Sequence, residues 1–194
     1  WCSNAAAIAD EWVPIRPGTD GALVLSMINV LINELGLFDV EFMRNLTNGP
    51  YLTRDSDGRY LRGPPSNKPM LWDSSDNRAK CYDDPSLRSP ALEGSFQVEG
   101  QACTPAFQLL KKHLSSKFSP ERVEEITTVP AARIRHLARD FGTAASIGST
   151  IDIDGCTLPL RPACAHWYKG ISQHQQGFEQ GLAIAMLNTV VGAV

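Results

Sequence analysis

The stretch PIRPGTDGALVLSMINVLINELG, residues 14–36, decides how this chain folds. An almost wholly apolar segment from Ala22 to Leu35 follows directly after Pro17-Gly18-Thr19-Asp20. A Thr or Asp at a helix start can accept a backbone N–H bond, and Gly36 suits the left-handed residue that ends many helices. The stretch therefore predicts one helix from about Asp20 to Leu35, buried on most of its circumference.

The four residues before this helix suggest a binding role. The start of a buried helix offers unpaired N–H groups and the positive end of the helix dipole, which together favour an anion or a polar ring edge. A carboxylate at Asp20 repels phosphate but can accept two N–H bonds, and guanine presents such a pair. The pattern favours a nucleotide base at this position. The alternative is that Asp20 only caps the helix.

Composition excludes several other classes of function. A hydrophobic fraction of 43% and a charged fraction of 20% are typical of a soluble globular protein. The net charge is −3 and the basic residues are scattered, so no nucleic-acid partner is expected. Polar residues interrupt every long apolar run, so no direct membrane span is expected.

The cysteines do not predict a metal centre. The chain has five of them, in no C-x-x-C arrangement, which argues against zinc and against an iron–sulfur cluster. They lie at wide spacings: Cys2, Cys81, Cys103, Cys156 and Cys164. The chain begins without Met or a signal peptide, and its first residues already show the apolar pattern of a folded segment. It is therefore expected to be a fragment whose first strands lie upstream.

Three segments differ in character along the chain. Residues 1–46 and 104–194 carry regular helix and strand signals, whereas residues 47–103 are rich in proline and turn residues. The middle segment is predicted to be a long, irregular surface insertion, and loops of this length are often functional. YLTRDSDGRYLR, residues 51–62, predicts a hairpin with a Ser-Asp-Gly turn inside it.

Further signals predict an alternation of helices and strands. Residues 38–46 should form a short helix, and another should run from Thr104-Pro105 to about Leu114. PERVEEIT is predicted as a helix behind Ser119, and the next helix should end at Gly142. SIGSTIDI predicts a strand before an Asp-Gly turn, and a last helix should run from about Gly177 to Val191. This order is typical of an α/β layered domain with a mostly parallel sheet.

Three stretches resemble one enzyme family. AAAIADEWVPIRPGTDGAL, residues 5–23, closely resembles the segment of the molybdopterin oxidoreductase (dimethyl sulfoxide reductase) family that binds one guanosine end of a bis-guanylyl pterin cofactor. FSPERVEEITTVPAARIRHLARDF, residues 118–141, resembles the next segment of that family. GISQHQQGFEQGLAIAMLNTVVGAV, residues 170–194, resembles its Gln-His turn and the helix behind it. The chain is identified as a member of this family on these segments and their order.

The resemblance implies a fold, a cofactor and a set of binding residues. The fold is an incomplete Rossmann-like third domain of a catalytic subunit, in which residues 1–46 and 104–194 form the α/β part. The cofactor is molybdopterin guanine dinucleotide carrying molybdenum or tungsten. Asp20 is expected to bond the guanine, in a pocket lined by Pro17, Gly18 and Thr19. Three residues are expected near the pterin or its phosphates: Gly170, Gln173 and His174. For His174 the alternative is a turn histidine bonded to backbone.

The resemblance also implies what this stretch lacks. The family's [4Fe-4S] cysteines and the protein ligand of the metal lie in upstream segments that the sequence does not contain. No catalytic or metal-ligating residue is therefore expected here, and the piece alone should be inactive. The full chain is expected to be an oxidoreductase of anaerobic respiration with a small-molecule substrate and an iron–sulfur electron-transfer subunit.

The branch of the family, the cellular location and the function of the whole chain each have an alternative. The insertion and the GSTIDIDG…LPLRPA stretch resemble the polysulfide, thiosulfate and tetrathionate reductase branch of the family, or related anaerobic acyl-CoA oxidoreductases. They resemble formate dehydrogenases and nitrate reductases less. A periplasmic or membrane-associated location through partner subunits is expected, with a cytoplasmic one as the alternative. The competing interpretation of the whole chain is a non-catalytic guanine-nucleotide-binding or scaffold module with the same fold.

Overall fold

A computed structural model describes residues 4–193, which combine a helical body with small antiparallel sheets. No helix in this range has the length and apolar character needed to cross a membrane. Cys2 lies outside the described residues, and the other four cysteines are free thiols. The helices are α1 (Asn4–Ile8), α2 (Asp20–Asn29), α3 (Val40–Asn45), α4 (Ala106–Lys117), α5 (Pro120–Thr127), α6 (Ala131–Ala144), α7 (Lys169–Ser172) and α8 (Gly177–Val190).

The predicted first helix is confirmed from end to end. The helix α2 continues without a break into a π-helical turn over Val30–Leu35, and Gly36 ends it with a φ of 61°. Ile28 and Leu31 are completely buried. The apolar side chains of this segment are therefore buried on most sides of the helix, as the sequence predicted, because other helices surround it.

Helix α2 lies at the centre of the helical body. It packs against α4, α5, α6 and α8, so most of its side chains find an apolar neighbour. The main core includes Phe107 of α4 and Leu187 of α8. A second apolar cluster joins the same helix to α5 and α6 through Val123 and Ile134. Burial of this kind contributes about 1.5–3 kcal/mol for each large apolar side chain.

Most of the helix starts predicted from capping residues in the sequence are confirmed. Asp39 accepts the backbone N–H of Phe42 at 2.9 Å and so caps α3. Ser119 caps α5, in which the following proline occupies the first turn, as expected. The predicted end of α6 at Gly142 is wrong, because that helix continues to Ala144. Gly142 serves packing instead: a Cβ there would lie 2.6 Å from side-chain carbons of Leu31 and Leu37.

The insertion over residues 47–103 contributes two small sheets. One has the strand order β1-β6-β5 and the other β2-β3-β4. The predicted hairpin is confirmed, since Arg54 and Leu61 donate backbone bonds to Arg59 and Leu52 across it. The strands are β1 (Leu52–Arg54), β2 (Arg62–Gly63), β3 (Lys68–Asp73), β4 (Arg78–Cys81), β5 (Phe96–Val98) and β6 (Gln101–Pro105).

The mostly parallel sheet predicted from the sequence is not present in residues 4–193, where every strand pair is antiparallel. A parallel pair needs a crossover connection of a dozen or more residues between its strands. Here α4, α5 and α6 follow one another with no strand between them. The predicted strand does form, as β7 (Thr150–Ile153), but the Asp154-Gly155 turn returns it onto β8 (Cys156–Pro159) in an exposed hairpin.

A buried carboxylate organises the insertion. Asp73 is fully buried and accepts a hydrogen bond from Lys80 Nζ at 2.7 Å. It also accepts backbone N–H bonds from Ser75, Arg88 and Ser89. Burial alone would raise the pKa of Asp73, but the hydrogen bonds from Lys80 and Ser75 outweigh it and hold the pKa well below its usual range. The carboxylate therefore stays charged and fixes three chain segments around itself.

We expect Asp73→Asn to loosen the insertion, because the substitution removes a charge that Lys80 and three backbone donors need. The measurement is the rate of proteolytic cleavage within residues 47–103 of the full-length protein, which should rise several-fold. Asp83→Asn is the matched control, since it removes an exposed ion pair with Lys68 that contributes little. Equal cleavage rates in the two variants would contradict the role of Asp73.

The same carboxylate predicts a pH dependence. Because its pKa is lowered in the folded state, its stabilisation is complete above the unfolded pKa of about 3.9 and is lost as the pH falls below it. The difference in cleavage rate between wild type and Asp73→Asn should therefore stay constant from neutral pH down to about 4 and narrow as the pH is lowered further. A difference that grows with falling pH would contradict this assignment.

Candidate functional site

The start of α2 is left uncapped. Thr19 occupies the N-cap position, but no side chain accepts a hydrogen bond from the first turn. The prediction that Thr19 or Asp20 caps the helix through its side chain is wrong, because Thr19 Oγ1 donates to the Arg16 carbonyl at 2.7 Å instead. The backbone N–H groups of Asp20 and Gly21 have no acceptor among residues 4–193. Two donors therefore remain available at the positive end of a buried helix.

The Asp20 carboxylate is equally available. The side chain is half-buried at the helix start and makes no hydrogen bond or ion pair with any described residue. Backbone contacts fix the loop before it, because Arg16 N–H donates to the Thr127 carbonyl at 3.0 Å. Gly18 has a φ of 79°, a conformation that residues with a side chain rarely adopt. The helix start therefore presents an acceptor and donors side by side on a rigid loop.

The chain brings the predicted Gln-His turn to this loop. A Cβ atom on Gly18 would lie 3.5 Å from Nδ1 of His174, so the imidazole rests against the glycine backbone. Gly177 makes this turn possible, since any side chain there would collide with the Ser172 carbonyl oxygen. Gly177 N–H donates to the His174 carbonyl at 2.9 Å, which starts α8 directly behind the histidine. Two segments far apart in sequence thus meet at one point.

The remaining predicted residues lie at the open side of this region. Pro17, Gly170 and Gln173 are exposed. Gly170 lies in α7, where a Cβ would meet nothing within 4 Å, and Gln173 follows that helix. Neither residue forms a hydrogen bond with the start of α2 among the described residues. The structure therefore brings Gly18 and His174 together, and leaves Gly170 and Gln173 facing solvent.

Gln180 is a site residue that the sequence analysis missed. Its Nε2 donates to the Gly18 carbonyl at 3.2 Å across 162 positions of sequence. Only 4% of the residue is exposed, and its Oε1 is buried with no hydrogen-bond partner among the described residues. The available signal was a glutamine on the buried side of α8, a largely apolar helix. A polar residue in that position needs a partner.

Other features of the described residues do not compete with this site. Within residues 4–193 no three His, Cys, Asp or Glu side chains converge as metal ligands would. Two large open cavities, of about 780 and 680 Å³, lie elsewhere. The first is beside Asp39 and Arg161, and the second is beside Arg59 and Arg62 in the insertion. The helix start differs from both because buried polar atoms there lack partners.

Known proteins resemble the chain over nearly its whole length, although no family model matches it. A sulfite dehydrogenase subunit from Allochromatium vinosum is 33% identical, and the match covers 97% of this chain and 22% of that protein. The alpha subunit of perchlorate reductase from Dechloromonas aromatica is 32% identical, over 85% of this chain and 21% of that protein. The chain thus spans about a fifth of the length of these relatives.

A solved structure shares the fold. Acetylene hydratase from Pelobacter acetylenicus matches 99% of this chain and 16% of its own, with a TM-score of 0.54 and 24% identity. At that identity the likeness concerns the fold alone. The sequence relatives are catalytic subunits of one group of enzymes, and this chain belongs to that group, the dimethyl sulfoxide reductase family of molybdopterin oxidoreductases.

Proposed function

We propose that the full-length protein is a molybdenum or tungsten oxidoreductase and that the start of α2 binds the guanosine end of its molybdopterin guanine dinucleotide. One observation carries this proposal. The free carboxylate of Asp20 and the free N–H groups of Asp20 and Gly21 lie together at the uncapped start of a buried helix. If Asp20 served only as a cap, its carboxylate would accept a backbone N–H of the first turn, and it accepts none from the described residues.

The donor and acceptor pattern fits the edge of guanine. That edge carries a carbonyl oxygen, which accepts, beside a ring N–H and an amino group, which donate. Asp20 can accept the two donors, and the helix N–H groups can donate to the oxygen. Pro17, Gly18 and Thr19 complete the pocket in this proposal.

The exposed part of the region is assigned to the other end of the same ligand. Gly170, Gln173 and His174 are proposed to lie near the pterin or its phosphates. Their exposure supports this assignment, because no described residue covers them. When bound, the cofactor supplies the two-electron chemistry, while these residues bind and orient it. A [4Fe-4S] cluster in the amino-terminal part of the full chain and a separate iron–sulfur electron-transfer subunit belong to the same proposal.

The family fold also suggests where the missing parallel sheet forms. Residues 161–168 form no helix, strand or turn, and their burial alternates along the segment: half-buried at Arg161, Ala163 and Ala165, exposed at Pro162, Cys164 and His166. This period of two is that of a strand. The Asn188 side chain accepts from Ala165 N–H at 2.7 Å and donates to its carbonyl at 3.0 Å, which holds the segment against α8.

We infer that this segment is a strand of the Rossmann-like sheet. Its residues 162–167 form no backbone–backbone hydrogen bond with any described residue. In this proposal its neighbours come from parts of the full-length protein beyond this chain, which is about a fifth as long as its relatives. Hydrogen exchange on the full-length protein should show strong amide protection across 162–168. Unprotected amides there would contradict a central strand.

Two groups of substrates are candidates for the full-length enzyme: the sulfur compounds of the predicted branch, and the substrates for which the relatives are named. The insertion and the GSTIDIDG stretch support the polysulfide, thiosulfate and tetrathionate reductase branch. The relatives are named for sulfite and perchlorate. Assays of the full-length enzyme should therefore compare thiosulfate and tetrathionate with sulfite and perchlorate under one set of conditions. Turnover of sulfite and perchlorate alone would reject the polysulfide, thiosulfate and tetrathionate reductase branch and leave the family assignment intact.

We expect the full-length protein to contain molybdenum or tungsten together with pterin. Metal analysis by mass spectrometry and the fluorescence of oxidised pterin measure both on one sample. The competing function is a non-catalytic module that binds free guanine nucleotide in the same pocket. A protein that carries guanosine phosphates but neither metal nor pterin would support that module and overturn the enzyme.

We expect Asp20→Ala to reduce the guanine nucleotide released from the purified full-length protein. The charged hydrogen bonds that it removes are worth about 1–3 kcal/mol. Released nucleotide per polypeptide is measured by chromatography after acid denaturation. Glu179→Ala is the matched control, because Glu179 is an exposed acidic residue in the first turn of α8. Unchanged nucleotide content in Asp20→Ala, with the helix intact, would show that the carboxylate does not bind the base.

A further inference from the structure

Gln180 connects the two halves of the proposed site. It lies in the first turns of α8, and its Nε2 donates to the Gly18 carbonyl in the loop before α2. Its side chain also packs on Gly21 in the first turn of α2, since a Cβ on Gly21 would lie 3.1 Å from Gln180 Cγ. The Gln180 side chain is therefore fixed by a hydrogen bond to Gly18 and by packing on Gly21, which has no side chain to fill the same space.

The orientation of the Gln180 amide is determined by its partner. A carbonyl oxygen can only accept, so the atom that faces Gly18 must be the amide nitrogen. This leaves Oε1 as the free atom, and it is buried with no donor among the described residues. A buried acceptor without a partner is costly, and folded proteins rarely tolerate one. The missing group must be an N–H or O–H donor.

The immediate surroundings do not supply that donor. The N–H groups of Ala22 and Leu23 both donate to the Thr19 carbonyl. The Thr19 hydroxyl is committed to Arg16. The free N–H groups of Asp20 and Gly21 lie at the same helix start as the free carboxylate. A bound molecule at this point can satisfy all of these groups at once.

We infer that Gln180 is a positioning residue for the cofactor. Through Nε2 it fixes the Gly18 carbonyl and with it the loop that carries Asp20. Through Oε1 it accepts a hydrogen bond from an amino or hydroxyl group of the guanosine moiety. This inference rests on the proposed function, because it takes the occupant of the helix start to be that ligand.

The experiment measures the release of guanine nucleotide from full-length holoenzyme at a urea concentration below the unfolding transition. Gln180→Met keeps the bulk of the side chain and removes both polar groups. We expect it to speed release by about two- to tenfold, the factor that corresponds to one or two lost hydrogen bonds. Gln108→Met is the matched control, because Gln108 Oε1 accepts from Gly94 N–H at 2.5 Å in another helix, away from the site.

A second variant separates positioning from general stability. In Gln180→Glu an ionised carboxylate cannot donate to Gly18, whereas the protonated acid can donate and accept as the amide does. Burial raises the pKa of a carboxyl group, so release from Gln180→Glu should approach the wild-type rate as the pH falls toward about 5. Gln180→Met should show no such recovery relative to wild type at each pH.

The outcomes distinguish this inference from the function on which it rests. Release from Gln180→Met at the wild-type rate overturns the inference, and so does equal acceleration in Gln108→Met. Asp20→Ala is measured alongside. Fast release from Asp20→Ala with normal release from Gln180→Met rejects the role of Gln180 and leaves the binding site in place. Normal release from both variants rejects the guanosine site itself.

Discussion

The burial of α2 is the constraint on which the rest of the structure depends. Four other helices cover this one segment, so its apolar side chains form part of every core that the helical body contains. Close packing at its start and end requires residues without side chains. Gly21 makes room for α8, and Gly142 makes room for the side chains of Leu31 and Leu37. The first turn of the helix, residues 20–23, is only half-buried, so its free donors and the Asp20 carboxylate are accessible to a ligand. The oxygen of Gln180, whose nitrogen bonds to Gly18, is fully buried and needs a donor.

The sequence predicted those features that short stretches of chain determine. Asp39 and Ser119 cap helices within three residues of themselves. The turn at Asp154-Gly155 likewise depends on two residues whose φ values are both positive. The long helix from Asp20 was predictable because its apolar pattern is continuous. Each of these features follows from local chemistry, and the structure confirms each of them.

Features that depend on distant partners were not predictable in this way. Glycine is a residue type that often ends a helix, but the role of Gly142 depends on the distant side chains of Leu31 and Leu37, which pack against it. Gln180 carries no motif, and its partner lies 162 positions away. The predicted parallel sheet was not found for a related reason: residues 162–167 have the alternating burial of a strand but form no backbone–backbone hydrogen bond with any described residue. Sequence patterns indicate which segments are extended, whereas pairing depends on what lies beside them.

The insertion and the proposed binding site are built on different physical principles. In the insertion, Asp73 is buried together with its counter-charge Lys80 and with backbone donors, so every polar group there has a partner. At the start of α2, the Asp20 carboxylate has no partner among the described residues, and neither has the oxygen of Gln180, whose nitrogen bonds to Gly18. The fold can therefore satisfy buried polar atoms completely, as it does at Asp73, and the Gln180 oxygen is one that it leaves unsatisfied. Its failure to do so at the helix start is therefore a property of that site, and a ligand with donors and an acceptor on one edge accounts for it.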